Sequence, residues 1–414
     1  MEQFYESFLQ DEFYNLSSLI DEYMTPSKDE KEDNAEVPTP FQLRKDMLDK
    51  LPDSFWENPL HTVFETSCGK GAFLIDFVIR FMKGLENVFP DKMERYRHIV
   101  ENCIFFCDIN PMNIHICKLL LDPYQRFELN YYQGNTLQFN IWGKEGFHAV
   151  IGNPPYNDDS GNKGKGHSIW TIFVERSFNK WLLPNGYLLF VHPGLWRQRN
   201  HELSTYYWNN NLIYLEIHGQ EDGKKIFKCS TRYEFYLCQK SPYNGVTHII
   251  DEKGKSYTIN IQELEMIPNY DIDLYVSLTN SPNKLDVHYD RSIYGADKKW
   301  VVVEQSEEYC NPVVYNVQKG GVLNLRYTNT RLKGHYGIPK LIFNWNECFL
   351  DRNGDYALTQ WVYHIRDEVD NLERIQEIFH KKSFKNFVLS FKIGYTLDIN
   401  AMKTLNKNFW EHFL

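Results

Sequence analysis

The sequence predicts an α/β protein with a mostly parallel sheet, followed by a second domain of different pattern. Three observations lead there. Short apolar runs alternate with helical patterns between about residues 61 and 240, as in the βα units that build parallel sheets. The first run ends in the glycine turn Thr66-Ser67-Cys68-Gly69-Lys70-Gly71 and passes into an apolar helix, Ala72 to Met82. Strand, glycine turn and helix together open a nucleotide-binding sheet. Beyond residue 240 the alternation stops and mixed β-rich sequence begins. The 414 residues allow two or three domains. The expected divisions are an acidic helix and linker over 1–38, the α/β domain over 39–240, and a second domain over 241–414.

Taken in order, Phe4, Phe8, Phe13, Leu16, Ile20 and Tyr23 recur at near-helical spacing among acids, which predicts an amphipathic helix over 4–24 packed on the main domain. A charged linker follows over 25–38. Thr39-Pro40 opens a helix through Leu43, Met47, Leu48 and Leu51, with Thr39 as cap and Pro40 at the first helical position. Strands are expected at 61–65, 103–107, 127–132, 147–151, 187–191, 212–217 and 233–237. Seven such runs suit a seven-stranded sheet. Helices are expected at 85–101, 112–121 and 169–183, and in the second domain near 367–380 and 383–391.

Composition bounds the function. No apolar run is long enough to span a bilayer, and the acidic N-terminus lacks a signal-peptide pattern. A cytoplasmic protein with no membrane partner is therefore expected. The eight cysteines include no Cys-x-x-Cys pair, so no metal site is predicted. The net charge of −10 is concentrated at one end: residues 1–36 hold eleven acids against Lys28 and Lys31. The segment reads as a packed helix, with an autoinhibitory mimic of DNA as the alternative. Two stretches are locally basic. Ser160 to His201 has Lys163, Lys165, Arg176, Lys180, Arg197 and Arg199 against Glu175, and Tyr309 to Asn346 has five cations and no acid. Local fields of this kind, rather than net charge, attract a polyanion.

The chemistry lies at predicted strand ends, where open α/β sheets bind ligands. The glycine turn is not a Walker loop, and Glu65 at its start would repel a phosphate. A carboxylate there suits a cation. Asp108 ends the second strand, 43 residues after Glu65, placed to accept from ribose hydroxyls, with Ile109 beside it for an adenine ring. The pair implies a nucleoside with a cationic tail, S-adenosylmethionine; a tight turn without ligand is the alternative. The fourth strand runs into Asn153-Pro154-Pro155-Tyr156. Two prolines end the strand because neither can donate to the ladder, and Asn153 is held extended by the proline after it. The motif presents an amide, a carbonyl and an aromatic ring in fixed relation.

In motif order the chain resembles the gamma-class N6-adenine DNA methyltransferases, the TaqI-like group: Thr39-Pro40, Glu65 to Gly71, Asp108, Asn135, Asn153 to Tyr156, then about 170 residues of tail. The resemblance implies a Rossmann-like S-adenosylmethionine-dependent methyltransferase fold with a C-terminal target-recognition domain. It implies a cofactor site made by Thr39, Glu65, Thr66, Ser67, Cys68, Gly69, Gly71, Asp108, Ile109, Asn135 and Asn153. Asn135 departs from the Asp usual at that place, and residues 84–101 look like an insertion. The implied partner is double-stranded DNA, and a cognate restriction enzyme fits the same setting.

The residues support a matching mechanism. The exocyclic nitrogen of adenine is a poor nucleophile because its lone pair enters the ring. Acceptors aimed at its two hydrogens, the Asn153 side-chain oxygen and the Pro154 carbonyl, would draw it toward tetrahedral geometry. The rest is orientation and fixed dipoles, with no strong base required. Adenine must leave the duplex to be reached, and Tyr156 would stack on it. The glycine-rich loop 157–167 reads as a flap placing Lys163 and Lys165 on phosphates, or as a solvated loop. Trp196, next to Arg197, is a second base-stacking wall or a core residue. Arg326, Arg331 and Lys333 stand among Tyr327, His335 and Tyr336, suiting a DNA groove or a solvated face. An RNA adenine or protein glutamine methyltransferase, and a non-catalytic DNA-binding subunit, are the competing readings.

Overall fold

In the computed structural model, β1 (Val63–Glu65) pairs in parallel with β2 (Ile104–Asp108) on one side and β4 (Phe147–Gly152) on the other. The structure describes residues 2–10, 16, 20–21, 37–140, 143–156, 168–289, 300–394 and 399–414. The chain divides into two compact units, Met1–Glu263 and Leu264–Leu414.

In the first unit, β3 (Asn130–Gln133) adds in parallel to β2, and β5 (Leu182–His192) adds in parallel to β4. Next comes β7 (Tyr233–Pro242), antiparallel to both β5 and β6 (Asn210–His218). All seven expected strands are present in this mostly parallel α/β sheet. The sheet does not stop there. β8 (Thr247–Ile250) pairs with β6 and β9 (Ser256–Ile259) pairs with β8, so among the described residues the order is β3-β2-β1-β4-β5-β7-β6-β8-β9. The expected boundary at residue 240 therefore falls inside the sheet. These two strands are short and follow β7 without an intervening helix, so the lost alternation at 240 marked a change of connection and not the end of the unit.

β1 and β2 are buried at every position, as strands covered on both faces must be. The helix Ala72–Gly84 packs against β1 and buries Phe73, Phe77 and Phe81, and Phe81 meets Trp56 edge-on at 5.0 Å. The expected helix over 85–101 is shorter. It runs Lys92–His98, capped by the Asp91 carboxylate on the Glu94 N–H, and ends in a π-turn, Ile99–Cys103. The helix before β5 ends in the same way, Trp170–Arg176 followed by a π-turn at Ser177–Trp181.

The N-terminal helix, Glu2–Gln10, buries Phe4, Tyr5 and Phe8. Tyr5 meets Tyr96 edge-on at 5.4 Å, and the Tyr96 hydroxyl donates to the Leu121 carbonyl at 2.6 Å. Leu16 and Ile20 are buried too, so the apolar stripe of this acidic segment belongs to the core. Phe13, Tyr23 and most of the linker lie outside the described residues.

Among the described residues the second unit carries two four-stranded sheets. One has the order Asp286–His288, Tyr363–Arg366, Lys340–Phe343, Cys348–Asp351; the other has Val301–Val302, Val322–Thr328, Asn311–Gln318, Ala357–Leu358. The expected helices stand at Val369–Phe379 and Lys382–Leu389.

What positions a site is the place of β1. The chain builds outward from it to β2 and β3 on one side and to β4 and β5 on the other. Such a reversal opens a crevice beyond the strands' C-terminal ends. Glu65, Asp108 and Gly152 are the last residues of the three strands that meet there.

Candidate methyl-donor and target site

The glycine turn is tied to the neighbouring strand. Gly69 N–H donates to the Asp108 carboxylate at 2.8 Å, Cys68 N–H to the Cys107 carbonyl at 2.9 Å, and Gly71 N–H back to Cys68 at 2.9 Å. Gly71 is left-handed, φ +88°, and a Cβ there would stand 3.0 Å from the Cys117 sulfur. Both conditions call for glycine. The Thr136 hydroxyl donates to the Thr66 carbonyl at 2.8 Å, and the Ser67 hydroxyl to the Asn153 carbonyl at 3.2 Å. The turn thus reaches the end of β2 and the chain just beyond β3 and β4.

Glu65 is buried in this setting. Burial raises its carboxyl well above the usual range, Asp108 adds to the rise, and Arg44 opposes it. Its Oε2 and the Thr66 hydroxyl are buried without a hydrogen-bond partner. Buried polar groups are normally paired, so two such atoms at one strand end make this edge a candidate for a ligand. Asp108 accepts from Gly69 N–H, from Asn110 N–H at 2.8 Å and from the Asn113 amide at 3.2 Å. Burial raises its pKa and these bonds resist the rise. Beside it, Ile109 is 69% exposed and Met112 56%, an apolar surface next to an acceptor. Asn135 is exposed, and its side-chain oxygen caps the following turn by accepting from Leu137 N–H at 3.0 Å.

The Asn-Pro-Pro-Tyr segment follows Gly152, which adopts φ +155°. Asn153 donates its side-chain Nδ2 to the Val37 carbonyl at 3.3 Å. Only the NH2 end of an amide can face a carbonyl, so this contact orients the group and turns Oδ1 the other way. Tyr156 places its hydroxyl 3.5 Å from the Val191 carbonyl on β5. Burial raises its pKa, and Cys229 and Tyr233 are its electrostatic neighbours. Thr39 is buried two residues beyond Val37, with its carbonyl accepting from Arg44 at 2.6 Å.

Two expected DNA contacts are overturned. Trp196 is 0% exposed and stacks on Tyr207 at 3.7 Å between centroids; it is a core residue and offers no base-stacking wall. Arg197 is equally buried, with Nε 2.6 Å from the Glu234 carboxylate. Burial outweighs their attraction, lowering the Arg197 pKa and lifting Glu234 to about 7. Gly194 makes room for the pair, because a Cβ there would run into the Glu234 carboxylate. Leu195, between these buried residues, is the exposed one. Lys163 and Lys165 lie outside the described residues. In the second unit, Arg326 lies over Tyr315 at 4.4 Å, Arg331 over Tyr336 at 4.8 Å and Lys333 over Trp300 at 5.0 Å. Arg331 and Lys333 are exposed. Lys340, from the same basic stretch, is buried against Asp351 at 2.7 Å.

Sequence reasoning missed Arg44, Asp76 and His192. Arg44 bonds Asp76 and Asp21, each at 2.6 Å. Signals existed: Arg44 shares the helical stripe of Met47 and Leu48, and Asp76 interrupts an apolar helix. His192, at the end of β5, is fully buried. It contacts the Tyr236 hydroxyl at 2.9 Å and the Pro193 carbonyl at 2.8 Å, and Trp170 stacks on it at 4.2 Å. Burial lowers its pKa to about 3.

Comparison with known proteins bears on this edge of the sheet. Residues 102–227 match the Eco57I restriction-modification methylase family. The Eco57I match takes in Asp108, Asn135 and Asn153 to Tyr156; Thr39 and Glu65 to Gly71 stand before it. Among solved structures, a nuclease-deletion mutant of the Type ISP restriction-modification enzyme LlaGI, in complex with a DNA substrate mimic, is 10% identical with a TM-score of 0.53. That match covers 85% of this chain and 52% of that one. It establishes likeness of fold. The Type IIL restriction-modification enzyme MmeI, in complex with DNA, is 11% identical, covering 81% and 60%, TM-score 0.43. A type I restriction-modification methyltransferase subunit from Streptococcus thermophilus is 16% identical, covering 53% and 48%, TM-score 0.39. The chain spans roughly half the length of several of the solved proteins it matches. No curated protein sequence matches it. Among the described residues no helix is long and apolar enough to cross a membrane.

Proposed function

We propose that this protein methylates the exocyclic amine of adenine in DNA, with S-adenosylmethionine as donor. The observation that carries the reading is the Asn153 amide, oriented through its Nδ2 just past the C-terminal end of β4, the strand next to β1, whose last residue Glu65 keeps a buried, unpartnered Oε2.

The residues fit the cofactor. An unpaired buried carboxylate oxygen suits a cationic tail, and exposed Ile109 beside Asp108 suits an adenosyl group. Thr39, Glu65, Thr66, Ser67, Cys68, Gly69 and Gly71 would hold the donor end. Asp108 would accept a ribose hydroxyl on lone pairs left by its own bonds, since a carboxylate has about four such sites. Bound S-adenosylmethionine would supply an electrophilic methyl group on a sulfonium. The chain's part is to orient the nucleophile. Asn153 Oδ1 and the Pro154 carbonyl would accept the two amine hydrogens and localise the nitrogen lone pair. Tyr156 would lie against the extruded base. The Asn135 oxygen, already a cap, would make a second contact to the cofactor's adenine.

DNA is favoured over RNA or protein by the family match across this edge. Exposed Arg331 and Lys333, with Arg326 behind them, would serve the second unit as phosphate contacts, giving it a target-recognition role. The test is incubation with labelled cofactor and plasmid DNA, tRNA or protein extract, followed by nucleoside analysis. Label recovered as N6-methyladenine in DNA is expected. Label in RNA or protein but not DNA would overturn the choice.

A further inference from the structure

We infer that Asp21, in the acidic N-terminal segment, is a positioning residue for the methyl-transfer site. This rests on the function proposed above and adds to it a component that no motif indicates.

The argument begins with Arg44, whose side chain is completely buried. A buried charge must be paired and hydrogen-bonded. Arg44 meets that need in three directions: Nε to Asp76 Oδ2, Nη1 to Asp21 Oδ1, and Nη1 to the Thr39 carbonyl, each at 2.6 Å. The second oxygen of Asp21 accepts from Phe41 N–H at 2.6 Å. That bond answers a local defect. Phe41 begins the helix Phe41–Leu48, whose N-cap is Pro40, and no side-chain bond caps it there. Asp21 therefore supplies, from 20 residues upstream, an acceptor for one of the four N–H groups that a helix start leaves without an intrahelical partner. Its negative charge also favours a helix N-terminus.

The consequence reaches the reacting groups. Asp21 and Arg44 together hold the strap 37–40 at both the Thr39 carbonyl and the start of the helix. Two residues before Thr39, the Val37 carbonyl takes the Asn153 Nδ2. A continuous path thus runs from Asp21 through Arg44 and the strap 37–40 to the amide that would accept from the target amine. Arg44 is also the cation that offsets the raised pKa of Glu65. Removing the Asp21 charge leaves Arg44 with less compensation and uncaps the helix. The strap loosens where it orients Asn153 and borders the donor site. The segment then works inside the enzyme, in place of acting as a mimic of DNA.

The experiment compares wild-type full chain with Asp21→Asn and Asp21→Glu by calorimetry with S-adenosylmethionine, turnover on DNA, DNA affinity and thermal melting. Asp21→Asn should lower kcat on the order of 10- to 100-fold, the scale of a small displacement of reacting groups. Donor affinity should weaken as well, with DNA affinity and cooperative melting retained. Asp21→Glu, keeping the charge, should recover more turnover than Asp21→Asn. Should Asp21→Asn fail to fold, Phe41→Pro removes the N–H at a position that tolerates proline, with Phe41→Ala as the control for the lost side chain, and the same direction of change is expected relative to that control. Donor binding and kcat equal to wild type would overturn the inference. So would losses that follow the unfolded fraction alone, or tighter DNA binding with unchanged donor affinity. If wild type itself fails to bind the donor, the methyltransferase reading is what fails.

Discussion

Asn153 and Val37 are joined by a 3.3 Å hydrogen bond from side-chain amide to main-chain carbonyl. That bond decides which end of the amide is available. Replacing Asn153 by Ala should leave donor affinity within a few-fold of wild type and reduce kcat about 10²- to 10³-fold, the scale for losing one preorganised hydrogen-bonding group. Calorimetry and single-turnover methylation would measure the two effects separately. Turnover near wild type would refute the role given to Oδ1.

Glu65 sets a pH dependence. Its folded pKa is raised by burial and by Asp108, so it holds a proton at pH values where an exposed Glu has lost it. A cationic ligand favours the ionised form. Donor affinity should therefore climb as pH rises through that raised pKa, with a proton released on binding. Glu65→Gln should flatten the climb. The carboxyl's own linkage to stability has the opposite sign: the folded state binds the extra proton, so stability falls as pH rises between the ordinary and the raised value. Donor titrations from pH 5 to 9, with melting curves of the free protein, would check both signs.

His192 acts in the other direction. With a folded pKa lowered to about 3 by burial, it stays neutral while the unfolded chain takes up a proton below about pH 6.5. Stability should then fall as pH drops from about 6.5 toward 3. His192→Gln should show a shallower fall over that window in urea titrations, by up to one proton in slope. An unchanged slope would mean that the residue is not buried neutral.

Arg197 and Arg331 should separate cleanly. Arg197→Ala strands the Glu234 carboxylate in the core and should destabilise the fold by about 3–5 kcal/mol, the usual effect of breaking a buried pair. Arg331→Ala should leave the melting temperature nearly unchanged. It should reduce the slope of log affinity against log salt for duplex DNA by about 0.9, one phosphate contact. If Arg331→Ala binds DNA with the wild-type salt slope, the second unit's basic loop is not the DNA contact.

The parallel part of the sheet was legible because its strands are continuous apolar runs ending at punctuation that has a mechanism: glycine at Gly69 and Gly71, proline at Pro154 and Pro155. The same punctuation brought Glu65, Asp108 and Asn153 together at one edge. Strands β8 and β9 were missed because four-residue runs such as Thr247–Ile250 carry too few alternations to stand out. Trp196 and Arg197 misled because a basic, aromatic pair beyond a strand end looks the same in sequence whether it faces a ligand or a buried partner. What decided it was Glu234, far away on β7. Asp21 was illegible for a similar reason. Its meaning depends on Arg44, and a lone acid in a segment of eleven carries no mark of its own.

The first unit runs without interruption from Met1 to Glu263, and this fixes an order of events during synthesis. Domains fold as units, the N-terminal one first, while the ribosome adds about 5–20 residues per second. The bond between Asn153 and Val37 closes across 116 residues of chain, all of it upstream of the second unit. The proposed donor site can therefore assemble while Leu264 to Leu414 is still being made, an interval on the order of ten seconds at those rates. During that interval the proposed site would be complete before the second unit exists.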